Sequence, residues 1–223
     1  MSARHRYLEP EQAARVYDRI GRWQDLGGFY EHEAMAAALD AADLGSARRV
    51  VEIGCGTGTL AASLLRERLP ADAEYLGLDV STAMVDRTRR LLEPFGDRAE
   101  VRLVDGRTPW PIPDGDVDRV IAVYVLDLYS PDATDAFFAE VDRVLRPGGI
   151  VAVASLTPGA TGVSRAVSAV WSGAWRLDPH LTGGCRPVDL EPHLPAGYRR
   201  LLDTVITTWG VSSRSVVLQS PEM

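Results

Sequence analysis

Residues 50–60 read "VVEIGCGTGTL". An apolar run leads to Glu52, and alternate glycines follow at Gly54, Gly56 and Gly58, with Cys55 between the first two. Glycine adopts dihedrals that a Cβ forbids and lets a ligand come close to the backbone. A helix starting just behind, near Thr57, would present free amides and the positive end of its dipole. Such a turn suits a ligand with a polar or anionic group and an adjacent nucleoside, bound at the carboxyl ends of strands. Two more acids stand where strands should end. Asp79 closes "YLGLDVS", the place from which an acid takes the two ribose hydroxyls. Asp105 closes "RLVDG" before Gly106, where it either meets the exocyclic amine of adenine or serves the turn. Val80 and Met84 are placed to sandwich adenine, although Met84 equally suits the core.

The elements that must position these residues follow from periodicity. From Arg48, strands alternate with helices: "RRVVEIG", "AEYLGLDV", "AEVRLVDG", "VDRVIAVYVL" and "GGIVAVASL" read as strands. The helices between them are "TLAASLLRERL", "STAMVDRTRRLLEPFG" and "SPDATDAFFAEVDRVL". Ser81 or Thr82 caps the second, and Ser130 with Pro131 starts the third. This alternation predicts a doubly wound parallel α/β sheet. Ahead of it, about Glu9 to Asp43 reads as two helices separated by Gly27-Gly28. Behind it come a helix, "TGVSRAVSAVWSGAWRL", and the loop "DPHLTGGCRPVDLEPHLPAG". Two strand-like runs around Gly210 should then pair as an antiparallel hairpin. The chain divides as residues 1–45, an N-terminal helical cap; 46–156, a cofactor-binding core; and 157–223, a substrate-side helix, loop and hairpin, all in one domain.

Composition narrows the partners. The chain has 223 residues, with Lys+Arg 24 against Asp+Glu 31 and a net charge of -7. All the basic residues are arginine. An acidic chain is poorly matched to a phosphate backbone, so no nucleic-acid partner is expected. Cys55 and Cys185 are too few for a disulfide framework and belong to no metal-ligand cluster, so no metal is expected. The start, "MSARHRYLEPEQ", lacks the apolar core of a signal peptide, and no stretch reaches membrane-spanning length. A cytoplasmic protein is the expectation.

Two nucleotide sites compete for the glycine turn. Dinucleotide binders use G-x-G-x-x-G, whereas this loop is G-x-G-x-G, and no G-K-[ST] ending marks a P-loop. Glu52 discriminates further, because an acid at the strand mouth repels a pyrophosphate and suits a ligand bearing an amine and a sulfonium. "VVEIGCGTG" resembles motif I of class I S-adenosylmethionine-dependent methyltransferases. "LDVS" resembles their ribose-binding strand end, and "VLRPGGIVAVAS" resembles the turn and fifth strand of the small-molecule branch that includes the ubiquinone/menaquinone C-methyltransferases. That resemblance implies a mostly parallel, seven-stranded Rossmann-like sheet with a C-terminal antiparallel hairpin and an N-terminal helical lid.

The resemblance implies S-adenosyl-L-methionine as cofactor. Gly54, Cys55, Gly56 and Gly58 would meet its methionine part and ribose, and Glu52 its amino group. Asp79 would hold the ribose, Val80 and Met84 would face adenine, Asp105 and Gly106 would meet its edge, and Tyr124 would stand near the methyl group. An N-terminal tyrosine, Tyr17 or Tyr30, would cover the cofactor carboxylate. Nucleic-acid amino-methylating enzymes carry Asn/Asp-Pro-Pro-Tyr/Phe after the fourth strand, where this chain has Tyr124-Val125-Leu126-Asp127. A small-molecule acceptor, aromatic or lipid-like, is therefore expected. Tyr124, Asp127, His180 and His193 are the candidates for acceptor chemistry, and Trp171, Trp175 and Trp209 are either packing residues or pocket walls. The rival function is a cofactor-binding module without catalysis. Oligomeric state stays open, with a homodimer among the options.

Overall fold

The computed structural model describes Tyr7 and residues 28–159 and 161–222. Seven strands form one sheet in the order β3-β2-β1-β4-β5-β7-β6. They are β1 (Arg49–Ile53), β2 (Glu74–Asp79), β3 (Ala99–Leu103), β4 (Val117–Val123), β5 (Leu145–Leu156), β6 (Arg199–Thr208) and β7 (Val211–Gln219). The first five pair in parallel, whereas β7 runs antiparallel between β5 and β6. The hairpin expected around Gly210 is present. Strand order reverses between β1 and β4, and that is the crevice where open α/β sheets take ligands.

Helices cover both faces. They are α1 (Gly28–Asp40), α2 (Thr59–Ser63), α3 (Thr82–Leu92), α4 (Pro131–Val144) and α5 (Gly162–Leu177). Alternation along β1 divides the core: Val50 packs with Leu39, Leu64, Tyr75 and Val85 on one face, and Val51 with Leu76, Phe137 and Val141 on the other. The sequence signals for helix starts hold. Ser81 Oγ accepts from Met84 N at 3.2 Å, and Ser130 Oγ accepts from Ala133 N at 3.1 Å with Pro131 next in line. Of the two N-terminal helices read from the sequence, the second is α1, and the first lies outside the described residues.

Several boundaries differ from the sequence reading. The helix expected near Thr57 begins at Thr59, because Gly58 has φ +79°. Its second half, Leu64–Arg68, widens to π geometry. The strand expected through Leu126 ends at Val123, since Tyr124 turns to φ +52° and Leu126–Leu128 forms a short 3-10 turn. That early stop places Tyr124 and Asp127 at the carboxyl end of the sheet.

Candidate functional site

The turn after β1 is built as its glycines require. Gly54, Gly56 and Gly58 have φ of +71°, +51° and +79°. Gly54 N and Cys55 N both donate to Leu78 O, at 2.8 and 3.2 Å, tying the turn to the end of β2. The three glycines are bare for different reasons. A Cβ on Gly54 would come 2.9 Å from Val125 Cγ2, and one on Gly58 would come 2.6 Å from Thr88 Cγ2. Those two are glycine because protein packs against them. A Cβ on Gly56 would meet only the Gly54 carbonyl, at 3.9 Å, so the backbone there is open to close approach. Cys55 is buried, with burial the first cause raising its thiol pKa.

Asp79 is 8% exposed. Its Oδ2 accepts from Gly56 N at 2.8 Å and its Oδ1 from Ser81 N at 2.9 Å, so one carboxylate joins the glycine turn to the start of α3. Thr88, a residue the sequence did not point to, completes the joint by donating from Oγ1 to Gly56 O at 2.7 Å. The signal in the sequence was only a threonine on the inner side of a helix.

Glu52 lies beneath the turn and is fully enclosed. Its carboxyl accepts from the Tyr75 hydroxyl at 2.6 Å. Burial pushes its pKa up to about 8, opposed by the tyrosine bond and reinforced by Asp79. At neutral pH the carboxyl is therefore mostly protonated, not the standing charge expected from sequence. A nearby cation would lower its cost of ionisation. Tyr75 was not singled out in the sequence. Glu52 pairs with Gly77 in the register of β1 and β2, and Gly77 is bare because a Cβ would come 2.9 Å from Cys55 Sγ. A lone glycine in a buried strand marks such a close approach.

The adenine-side residues are less uniform. Met84 is buried in the core, whereas Val80 is partly exposed. Asp105 is exposed, and its Oδ1 accepts from Arg107 N at 3.0 Å, which is its turn role. Gly106 has φ +75° and helps line a cavity of about 280 Å³ with Arg107, Trp110, Tyr129 and Phe137.

At the carboxyl ends of β4 and β5, Tyr124 donates from its hydroxyl to Ser213 Oγ at 2.8 Å and to Glu31 O at 3.4 Å. Asp127 is 1% exposed; its Oδ1 accepts from Ser155 Oγ and, at 3.0 Å, from Leu156 N. Burial raises the Asp127 carboxyl to about 7. The structure adds Arg186 here. Its Nη2 donates to Tyr129 O at 2.9 Å, and its guanidinium lies over the rings of Tyr7 and Trp175 at 5.0 and 5.6 Å. Trp171 and Trp175 donate to the carbonyls of Cys185 and Gly184, so α5 holds this loop. Sequence spacing gave no sign of Arg186, which meets Asp127 only through the fold.

Other candidates lie elsewhere. His193 Nδ1 pairs with Asp135 Oδ1 of α4 at 2.5 Å, which accounts for it as a loop anchor. Trp209 is 83% exposed at the hairpin turn, so it is neither core nor pocket wall. His180 lies in the short 3-10 turn Pro179–Thr182, and Tyr30 in α1; their side chains, and all of Tyr17, lie outside what is described. Among the described residues no cluster of His, Cys, Asp or Glu could hold a metal. No helix among them is long and apolar enough to cross a membrane.

Comparison with known proteins agrees with this geometry. Residues 50–149 match the family described as a methyltransferase domain. A fatty-acid O-methyltransferase of Mycolicibacterium smegmatis is 39% identical over 103 residues, covering 46% of this chain and 35% of that protein. A tRNA N(3)-cytidine methyltransferase, METTL2 of Gallus gallus, is 28% identical over 106 residues, covering 46% of this chain and 29% of its own length. The chain thus spans about a third of the length of the curated relatives it matches. Among solved structures, the [4+2]-cyclase SpnF superposes with a TM-score of 0.76 at 17% identity, over 97% of this chain and 98% of its own. The N-methyltransferase NodS of Bradyrhizobium japonicum, crystallised with S-adenosyl-L-homocysteine, gives 0.70 at 13% identity, over 94% and 99%. Residues 50–149 thus resemble a methyltransferase domain, and the chain shares the fold of these solved structures. The matched relatives span unlike acceptors and do not single out the ubiquinone/menaquinone branch.

Proposed function

We propose that the protein transfers a methyl group from S-adenosylmethionine to a small-molecule acceptor. The observation that carries this reading is the joint between Asp79 and Gly56. A buried carboxylate and an open glycine backbone meet at the strand-order reversal, 2.8 Å apart. The residues present fit the cofactor. Gly56 leaves room for a ligand against the main chain, and the Glu52 carboxyl favours a cationic group near the turn. In this reading Gly54, Cys55, Gly56 and Gly58 border the amino-acid end, Asp79 holds the ribose, and Val80 with Asp105 and Gly106 borders adenine. The bound cofactor supplies an electrophilic methyl group, and the chain's work is to align the acceptor with it and keep water out.

A small molecule is favoured over nucleic acid by the net charge of -7 and by the Tyr124–Asp127 segment after β4. The tRNA-modifying relative aligns with only 46% of this chain, a stretch about as long as the matched domain, and so bears little on the acceptor. The fatty-acid O-methyltransferase supports a lipid-like acceptor to the same limited extent.

Incubation with methyl-labelled S-adenosylmethionine and a set of fatty acids, phenols and aliphatic amines tests the proposal. Label in an extractable small product is expected. Retained S-adenosylhomocysteine binding with no product on any probe would favour a binding module without catalysis.

A further inference from the structure

Among the described residues, eight large apolar side chains stand exposed, and five of them fall on α5 and what adjoins it. They are Val163, Val170 and Leu177 of the helix, Leu181 of the loop behind it and Trp209 of the hairpin turn, each 68 to 86% exposed. Single apolar residues on a surface need no explanation, whereas a group of neighbours does. Val163, Val170 and Leu177 recur every seventh residue, about two turns, so they line one face, with Ala166 and Gly173 between them. The opposite face carries Ser164 and Trp175, which are buried. The hairpin turn adjoins the start of the helix. A Cβ on Gly210 would come 3.2 Å from Val167 Cγ2 and 3.7 Å from Val163 Cγ1, which brings Trp209 beside the stripe.

Charge selects what can cover this face. The only charged side chains of α5 are Arg165 and Arg176. They stand eleven residues apart, about three turns, so both lie on one flank of the stripe, and both are exposed. Neither has an ion-pair partner among the described residues. A chain of net charge -7 thus presents one helix face that is apolar and cationic. The adjoining acids, Asp178 behind Leu177 and Glu33, which accepts from Thr208 Oγ1 at 3.1 Å, stand at the two ends of the helix. A second copy of the chain fits such a face poorly, because an isologous contact lays the patch on itself and brings arginine against arginine. An anionic lipid surface fits it. Arginines meet phosphates, and aliphatic side chains and an indole settle at the boundary between headgroups and acyl chains.

We propose that this face of α5, with Leu181 and Trp209, docks the protein on a bilayer that contains anionic lipid. The helix lies in the plane of the surface, with its buried face still on the protein. The docked face begins at a defined edge of the sheet. α5 follows the carboxyl end of β5, and Trp209 lies at the same edge, since Ser213 of β7 pairs with Leu156 at the end of β5. That edge also carries the glycine turn and Asp79. The docking stands without the methyl-transfer reading, and its test needs no turnover.

The test is sedimentation of the full chain with vesicles of phosphatidylcholine alone or mixed with phosphatidylglycerol. Binding to the mixed vesicles is expected, weaker on phosphatidylcholine alone and weakened by added salt. Val170 and Leu177 are exposed, so Val170→Glu with Leu177→Glu should fold with unchanged circular dichroism. That double variant should bind the mixed vesicles at least about tenfold more weakly. Arg165→Gln and Arg176→Gln should each cost about fivefold. A chain that ignores both kinds of vesicle, binds both alike, or is unaffected by the double variant would overturn the proposal. So would a dimer in analytical ultracentrifugation that the double variant dissociates, because a second copy would then cover the face.

Discussion

Glu52 shows how one residue's burial sets a measurable property. Its carboxyl stands at 4.5 in the unfolded chain and at about 8 in the fold, because burial disfavours the charge more than the Tyr75 hydroxyl favours it. A raised acid contributes most stability below its unfolded value and loses that contribution as pH rises to the folded one. The window is therefore pH 4.5 to about 8. Glu52→Gln replaces the protonated carboxyl with a neutral near-isostere. Its melting temperature should match the wild type near pH 5 and exceed it near pH 8.5, by an amount on the order of a few kcal/mol in stability. Parallel melting curves at both pH values would contradict this. The residues of the glycine turn and Asp79 were legible in the sequence because local spacing alone places them. Tyr75, Thr88 and Arg186 were not, since each reaches the site across the fold. Tyr75 meets Glu52 only through the β1–β2 register, and Arg186 meets Asp127 only where a distant loop crosses the strand ends.

At the scale of elements, the joint between the β1 turn and α3 is the least forgiving part of the site. Gly58 combines a left-handed φ of +79° with Thr88 atoms 2.6 to 3.0 Å from where its Cβ would sit. Gly58→Ala should destabilise the fold by roughly 1–3 kcal/mol in chemical denaturation, from backbone strain plus overpacking. Gly45 is the matched control: nothing lies within 4 Å of its Cβ position and its φ is not left-handed, so Gly45→Ala should change stability little. Equal effects at the two positions would show that the joint with α3 does not constrain Gly58. The order of strands and helices was readable because buried parallel strands are continuous apolar runs and helix caps are local. Element ends were less so. The stop of β4 at Val123 depends on a non-glycine residue, Tyr124, adopting φ +52°. Its hydroxyl bonds to Ser213 of β7 and to Glu31 of α1 hold it there, and such long-range bonds leave no local sequence signal.

Across the whole molecule, the two halves of the site differ in origin. In the proposed reading the cofactor half lies on the first three strands and their turns, within residues 50–149, where sequence likeness to the methyltransferase domain is found. The proposed acceptor half would draw on α1, the ends of β4, β5 and β7, and the loop behind α5, which meet only after the sheet has closed with its antiparallel hairpin. A matching fold does not fix that second half: SpnF, named a [4+2]-cyclase, superposes over 97% of this chain. The central claim therefore concerns the cofactor half, and one measurement tests it most directly. Calorimetric titration of the full chain with S-adenosylhomocysteine, with NADH as control, should give selective binding at about micromolar Kd, some 8 kcal/mol. Asp79→Asn should weaken it by at least about tenfold while circular dichroism stays unchanged. Binding of NADH in preference, or an affinity for S-adenosylhomocysteine that Asp79→Asn leaves unaltered, would contradict the assignment.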